Sequence, residues 1–97
     1  PDIPGYNVGI KTVEKNKFPV IFKENTYPQI ICIRSDKYDD LVFVCGLATP
    51  DVLNRYQSDE LILDYNLRKR GTKTGFWGFE HLSPVTGLDD LEPYRKH

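Results

Sequence analysis

Apolar and polar residues alternate loosely over 7–13, NVGIKTV. Val8, Ile10 and Thr12 fall on one side and Gly9, Lys11 and Val13 on the other. A period of two marks a strand. Asp2-Ile3-Pro4-Gly5 leads in with turn residues, and EKNK at 14–17 is a polar turn out of it. FPVIF at 18–22 predicts a second short strand. Pro19 has no N–H to donate, so this strand is an edge or begins at Pro19. ENTYP at 24–28 is another turn.

Two stronger strands follow, QIICIR at 29–34 and LVFVCG at 41–46, joined by the polar SDKYDD. So short a connection predicts antiparallel neighbours. Their consecutive apolar residues predict cover on both faces. The pattern then changes period. Thr49 stands as an N-cap, Pro50 takes the first helical position and Asp51 suits the first turn, which predicts a helix over 49–56. ELIL at 60–63 is ambiguous between a short strand and extended packing. NLRKRG at 66–71 reads as a loop, TKTGFWGF at 72–79 as a strand, and FEHL at 79–82 as one helical turn or a bend. Leu88, Leu91 and Pro93 belong to a packed, irregular C-terminal arm.

The expected fold class is therefore α/β in the wide sense (α+β). It is a small, mixed, mostly antiparallel sheet of about four to five strands, entered as a meander, with one short helix. One helix cannot cover both faces of such a sheet. A fully buried Val, Ile, Leu or Phe contributes about 1.5–3 kcal/mol, so the strands at 29–46 need a second layer. A segment preceding Pro1 or a second chain is expected to supply it, the latter making the protein a homo-oligomer. The 97 residues fit a single domain over 1–97. There is no Met, even at position 1, and the first residues already approach a strand. Both features suggest the C-terminal part of a longer domain.

Charge adds local rather than global information. The net charge of −1 gives no overall pull toward nucleic acid or an anionic membrane. NLRKRGTK at 66–73, however, carries Arg68, Lys69, Arg70 and Lys73 with no acid among them. Such a run is commonly a solvated loop. Beside Phe76, Trp77 and Phe79 it is also a candidate phosphate-backbone contact with rings for base stacking. At least two of those three aromatics are expected in the core. No apolar run approaches the ~18 residues that a membrane-spanning helix needs, and no signal peptide is visible. Cys32 and Cys45 lie in apolar runs and read as small buried hydrophobes of a reducing, cytoplasmic setting. They lack short Cys-x-x-Cys spacing, and His81 and His97 lie far apart, so no zinc site is expected. Nucleophile-elbow and phosphate-loop motifs are missing as well.

One constellation remains. Residues i and i+2 of a strand share a face, so an acid two places before a lysine puts both at one site. Metal-dependent phosphodiester cleavage uses that pairing: acidic oxygens hold Mg²⁺, and a lysine orients or activates water. Here Lys11 is present, and Gly9 stands at the acid position. Left to themselves, Lys11 reads as a solvent-facing strand lysine and Asp2 as part of the turn before Pro4-Gly5.

DIPGYNVGIKT, then QIICIRSDKYDDLVFVCGLATPDVL, then GFWGFEHLSP resembles the core of PD-(D/E)XK-type restriction endonucleases and related phage nucleases. The resemblance spans most of the chain on degenerate motifs. It implies a restriction-endonuclease-like core or part of one, of bacterial or phage origin, acting on DNA as a magnesium-dependent endonuclease. Pro1-Asp2 then matches the Pro-Asp element and Lys11 the motif lysine. Asp2 and Lys11 become catalytic candidates, with Asp2 a ligand for Mg²⁺. Gly9 departs from the pattern by removing a metal ligand, and the spacing from Asp2 to Lys11 is short for the family. The expected function is DNA cleavage, or DNA binding through an impaired site, with Glu14 or Glu24 as substitute acids. The alternative is a non-catalytic protein–protein module that uses the strands at 29–46 and the aromatic segment 76–79.

Overall fold

Parallel pairing sets the plan of the molecule. In the computed structural model, which describes residues 2–97, β1 (Gly9–Glu14) lies beside β3 (Gln29–Arg34), Gly9 opposite Gln29 and Lys11 opposite Ile31. The turn after β1 carries the chain away into another sheet instead of back along β1. There Lys17 N–H reaches the Glu14 carbonyl at 3.1 Å and Asn16 takes a positive φ of 66°, a conformation that asparagine tolerates well. β2 (Val20–Phe22) follows directly on Pro19 and forms an edge of that second sheet.

From β3 the chain turns through Ser35, whose Oγ accepts the amides of Lys37 and Tyr38, both at 3.1 Å. It returns antiparallel as β4 (Val42–Ala48). The register shifts between Ile31 and Cys32, leaving Cys45 as the extra residue of a bulge. Thr49 then caps α1 (Pro50–Arg55) by accepting the Val52 amide at 3.3 Å, with Pro50 opening the helix as expected. β5 (Gln57–Ser58) and a 3-10 turn over Asp59–Leu61 lead to α2 (Tyr65–Arg70). β6 (Lys73–Phe76), a 3-10 turn over Phe79–His81 and a longer one over Leu88–Tyr94 complete the order.

The fold class is α+β, mostly antiparallel, with few and short helices. Three details differ from the sequence reading. The strands form two three-stranded sheets, β1-β3-β4 and β2-β6-β5, where one meander was expected. Residues 65–70 are helical where a loop was expected. Asp64 accepts the amides of Asn66 and Leu67 at the start, and Gly71 (φ 71°) ends the helix in the left-handed conformation. The ambiguous ELIL is a 3-10 turn that delivers Ile62 into the interior.

The first sheet is packed on both faces at one end only. Val8, Ile30, Cys32 and Leu47 meet Leu91 of the C-terminal arm, with Ile3, Tyr6, Val85 and Tyr94 around them. On the other face Ile31 and Ala48 meet Ile21, Leu53 and Phe76 from the second sheet and α1. At this end the chain's own arm supplies the layer that a preceding segment or a second chain was expected to provide. Asn7 N–H donates to Tyr94 and Lys96 N–H to Gly5, each at 2.8 Å, which ties the two ends of the chain together. The other half of β4 departs from the expectation of full cover. Val42, Phe43, Val44 and Cys45 are all exposed. Leu47 exchanges backbone hydrogen bonds with Ser83, but among the described residues nothing pairs with the outer edge of 42–45. None of the described helices is long and apolar enough to cross a membrane.

Candidate functional site

The start of β1 is built by the loop before it. Ile3-Pro4-Gly5-Tyr6 folds into a turn closed by Tyr6 N–H on the Ile3 carbonyl at 3.1 Å. This swings Asp2 alongside β1, whose outer edge has no strand neighbour among the described residues. The Asp2 carboxylate accepts the Ile10 amide at 2.7 Å. Asp2 therefore does structural work, satisfying a strand N–H that would otherwise face water.

That placement brings Asp2 and Lys11 to one cavity of about 180 Å³, together with Gly9, Ile21, Phe22, Asn25, Tyr27 and Gln29. The two residues singled out from the sequence line the same cavity, with no ion pair between them. Lys11 is half-buried instead of fully solvent-facing, and it forms no ion pair among the described residues. The Pro1 half of the Pro1-Asp2 element lies outside the described residues.

The rest of the donor set does not fit Mg²⁺. Mg²⁺ wants near-octahedral oxygen ligation, usually from one or two carboxylates and the substrate. Among the described residues Asp2 is the one carboxylate lining the cavity, and one of its two oxygens accepts the Ile10 amide. Glu14 lies at the far end of β1, paired with Lys17 at 3.3 Å, and Glu24 does not line the cavity. No group of three or more His, Cys, Asp or Glu able to hold a metal occurs among the described residues. Sequence reasoning missed Gln29. A Cβ added to Gly9 would sit 2.7 Å from Nε2 and 2.8 Å from the carboxamide carbon of Gln29. The parallel register opposing Gly9 to Gln29 is what places them together, and a meander gives no hint of it.

The basic run is split. Arg68, Lys69 and Arg70 occupy the last turn of α2, where cations oppose the partial negative charge of the helix end. All three are exposed. Lys73 starts β6, pairs with Phe22 and holds its ammonium 5.0 Å from the centre of that ring. Phe22 lines the cavity, whereas Lys73 is not one of its lining residues. Nearby, Lys23 bonds Asp59 at 2.9 Å. The hydrogen bond from Lys23, then that from Thr74, hold the Asp59 carboxyl below its ordinary range, with Lys23 and Arg68 adding charge attraction.

The aromatics do not join these cations. Trp77 lies four residues beyond Lys73, ~13 Å away along an extended chain at the usual rise per residue. Phe76 is buried and Phe79 packs against the same core. Trp77 is exposed and meets Tyr56 edge-on at 5.1 Å, while Tyr56 stacks on His81 at 3.9 Å. The two cysteines differ from each other: Cys32 is buried and Cys45 exposed, both free. Burial, and then the neighbouring Cys45, raise the Cys32 thiol above its ordinary value, and the partial desolvation left at the exposed Cys45 raises that thiol too.

No family model matches the chain, and neither a curated protein nor a solved structure matches it.

Proposed function

We propose that the chain is a nuclease-like DNA-binding domain of the PD-(D/E)XK type whose site holds the phosphodiester backbone without cutting it. One observation carries the reading: Asp2 and Lys11 share a cavity at the start of β1 while Gly9, at the acid position, brings no second carboxylate. The order of elements supports it. A lysine-bearing strand, two apolar strands of which the second ends in Gly46-Leu47-Ala48, a helix capped directly by Thr49 and a late aromatic-ended strand follow one another in the order that the resemblance implies, with the Gly-Leu-Ala residues in strand rather than turn. Lys11 in the cavity and Lys73 against the Phe22 ring, with Arg68, Lys69 and Arg70 at the end of α2, supply the charge for phosphate contact. The reading carries with it a cytoplasmic location and a bacterial or phage setting. The test is binding of a labelled duplex across a salt series, with and without Mg²⁺, beside a cleavage assay on the same duplex. Binding that weakens with salt and leaves the duplex intact is expected. Cleavage that depends on Mg²⁺ removes the impaired-site reading, and absence of binding removes both.

A second reading rests on a different observation. Leu41 and, in the β4 segment whose outer edge has no partner among the described residues, Val42, Phe43 and Val44 are each more than 40% exposed. Open apolar edges of this kind are templates for pairing with another chain. As a protein–protein module the chain would associate through β4 in a salt-insensitive way. Sedimentation of wild type against Phe43→Lys decides it: association that survives moderate salt and is lost in the variant favours this reading, and a concentration-independent monomer removes it.

A further inference from the structure

The missing acid leaves no hole in the molecule. Gly9 and Gln29 face each other across the parallel β1–β3 pair, so a side chain at position 9 would share a face of the sheet with that of Gln29. The Gln29 carboxamide lies over the Gly9 Cα so closely that any side chain at position 9 must displace it. The neighbouring face residues are committed elsewhere: Ile31 to the core, and Lys11 to the cavity. A neutral amide thus takes the volume into which a carboxylate at position 9 would project.

We infer that Gln29 closes this cavity to divalent metal by filling the place of a position-9 side chain, so that the chain's contact with phosphate is metal-independent. The inference rests on the reading of the cavity as a nuclease-type site. Its chemistry follows from the donors. An amide oxygen is a neutral and weaker ligand for a hard cation than a carboxylate, and the Lys11 ammonium in the same cavity opposes a divalent charge. With Asp2 alone, partly used by the Ile10 amide, the attraction does not offset the loss of the ion's water. The obstacle at position 9 is the far end of a flexible side chain and not backbone. Removing it therefore opens room for a second carboxylate two residues before Lys11, on the same face.

The experiment is a Mn²⁺ titration of the full chain, followed by electron paramagnetic resonance, in the absence of DNA. Wild type and Gln29→Ala, which lack a second carboxylate, and Gly9→Glu alone, in which Gln29 holds its place, are expected to show no saturable site; Gly9→Glu alone binding Mn²⁺ as tightly as the pair described next overturns the inference. Gly9→Glu combined with Gln29→Ala is expected to bind Mn²⁺ at least tenfold more tightly than wild type, and adding Asp2→Asn to that pair removes the gain. Circular dichroism reports whether the pair folds. Should it not, Gly9→Asp with Gln29→Ala is read in its place, and the wild-type titration still decides. A saturable Mn²⁺ site in wild type that Asp2→Asn removes overturns the inference, as does a folded pair that gains no affinity. Because no DNA is present, either result leaves the DNA-binding proposal to be judged on its own assay.

Discussion

The carboxylate of Asp2 accepts the backbone N–H of Ile10 at 2.7 Å, and so an acid picked out for metal chemistry is also the cap of an exposed strand edge. The two roles make different demands. A cap needs only an acceptor oxygen, which Asn also has. Asp2→Asn should therefore leave stability nearly unchanged, while Asp2→Ala should cost about 1 kcal/mol, the usual net worth of one such hydrogen bond. Urea denaturation of both variants measures the difference. Equal losses would mean that the carboxylate's charge, and not its oxygen, holds the strand edge.

Leu91 is almost fully buried against Val8, Ile30, Cys32 and Leu47, although it belongs to an arm without long helices or strands. Its truncation to Ala should cost about 2–5 kcal/mol, as for other buried leucines. A domain stable by only about 5–15 kcal/mol would feel that strongly. A change below about 1 kcal/mol would show that the arm's packing adds little to stability.

The same arm carries a pH dependence. Asp90 accepts the Thr86 amide at 2.7 Å, the Thr86 hydroxyl at 3.1 Å and the Gly87 amide at 3.3 Å. These bonds, the Thr86 amide first, hold its carboxyl below the ordinary value of 3.8. A carboxyl lowered in the folded state adds stability that is in place above 3.8 and is lost as pH falls through the lowered value. Wild type should therefore lose stability in that acid window, and Asp90→Asn should lose less over the same range. Urea midpoints compared between about pH 6 and pH 3 give the test; parallel curves for the two proteins would contradict it.

Local chemistry is readable in the sequence, including the pairing of strands joined by a short turn, and the pairing of distant strands is not. Thr49-Pro50 announced α1, Pro19 announced the start of β2, and the Ser35–Asp40 connection announced an antiparallel return, because each signal acts within a few residues. The parallel partner of β1 lies about 20 residues away in sequence, and no local signal distinguishes it from β2. That single mistaken neighbour hid the Gly9–Gln29 contact and the division into two sheets. α2 was missed for another reason. Its cationic run drew attention to charge, while Asp64 and Gly71, six or more residues apart, marked the two ends of a helix that the loop reading passed over. Asp2 and Lys11 stand out through the resemblance and its acid–x–lysine spacing; strand periodicity and turn chemistry alone make them a solvent-facing lysine and a turn residue. What joins them, a loop folded back along an unpaired edge, is tertiary.

Lys73 beside Phe22 and the three cations ending α2 give a graded expectation. Changing Arg68, Lys69 and Arg70 together to Ala removes exposed charge and little packing, so stability should shift by no more than about 0.5 kcal/mol per site. Thermal melting of the triple variant checks this. A larger loss would mean that these side chains hold α2 in place, and any effect on DNA would then have to be judged against misfolding.

The central claim is that this surface grips a phosphodiester backbone, and its most direct test is the salt dependence of duplex binding measured by fluorescence anisotropy in EDTA. Affinity should fall steeply between about 50 and about 200 mM salt, and the triple Ala variant should bind more weakly with a log–log slope shallower by up to about 3. No binding at the low-salt end, or binding with the same slope in wild type and variant, would contradict it.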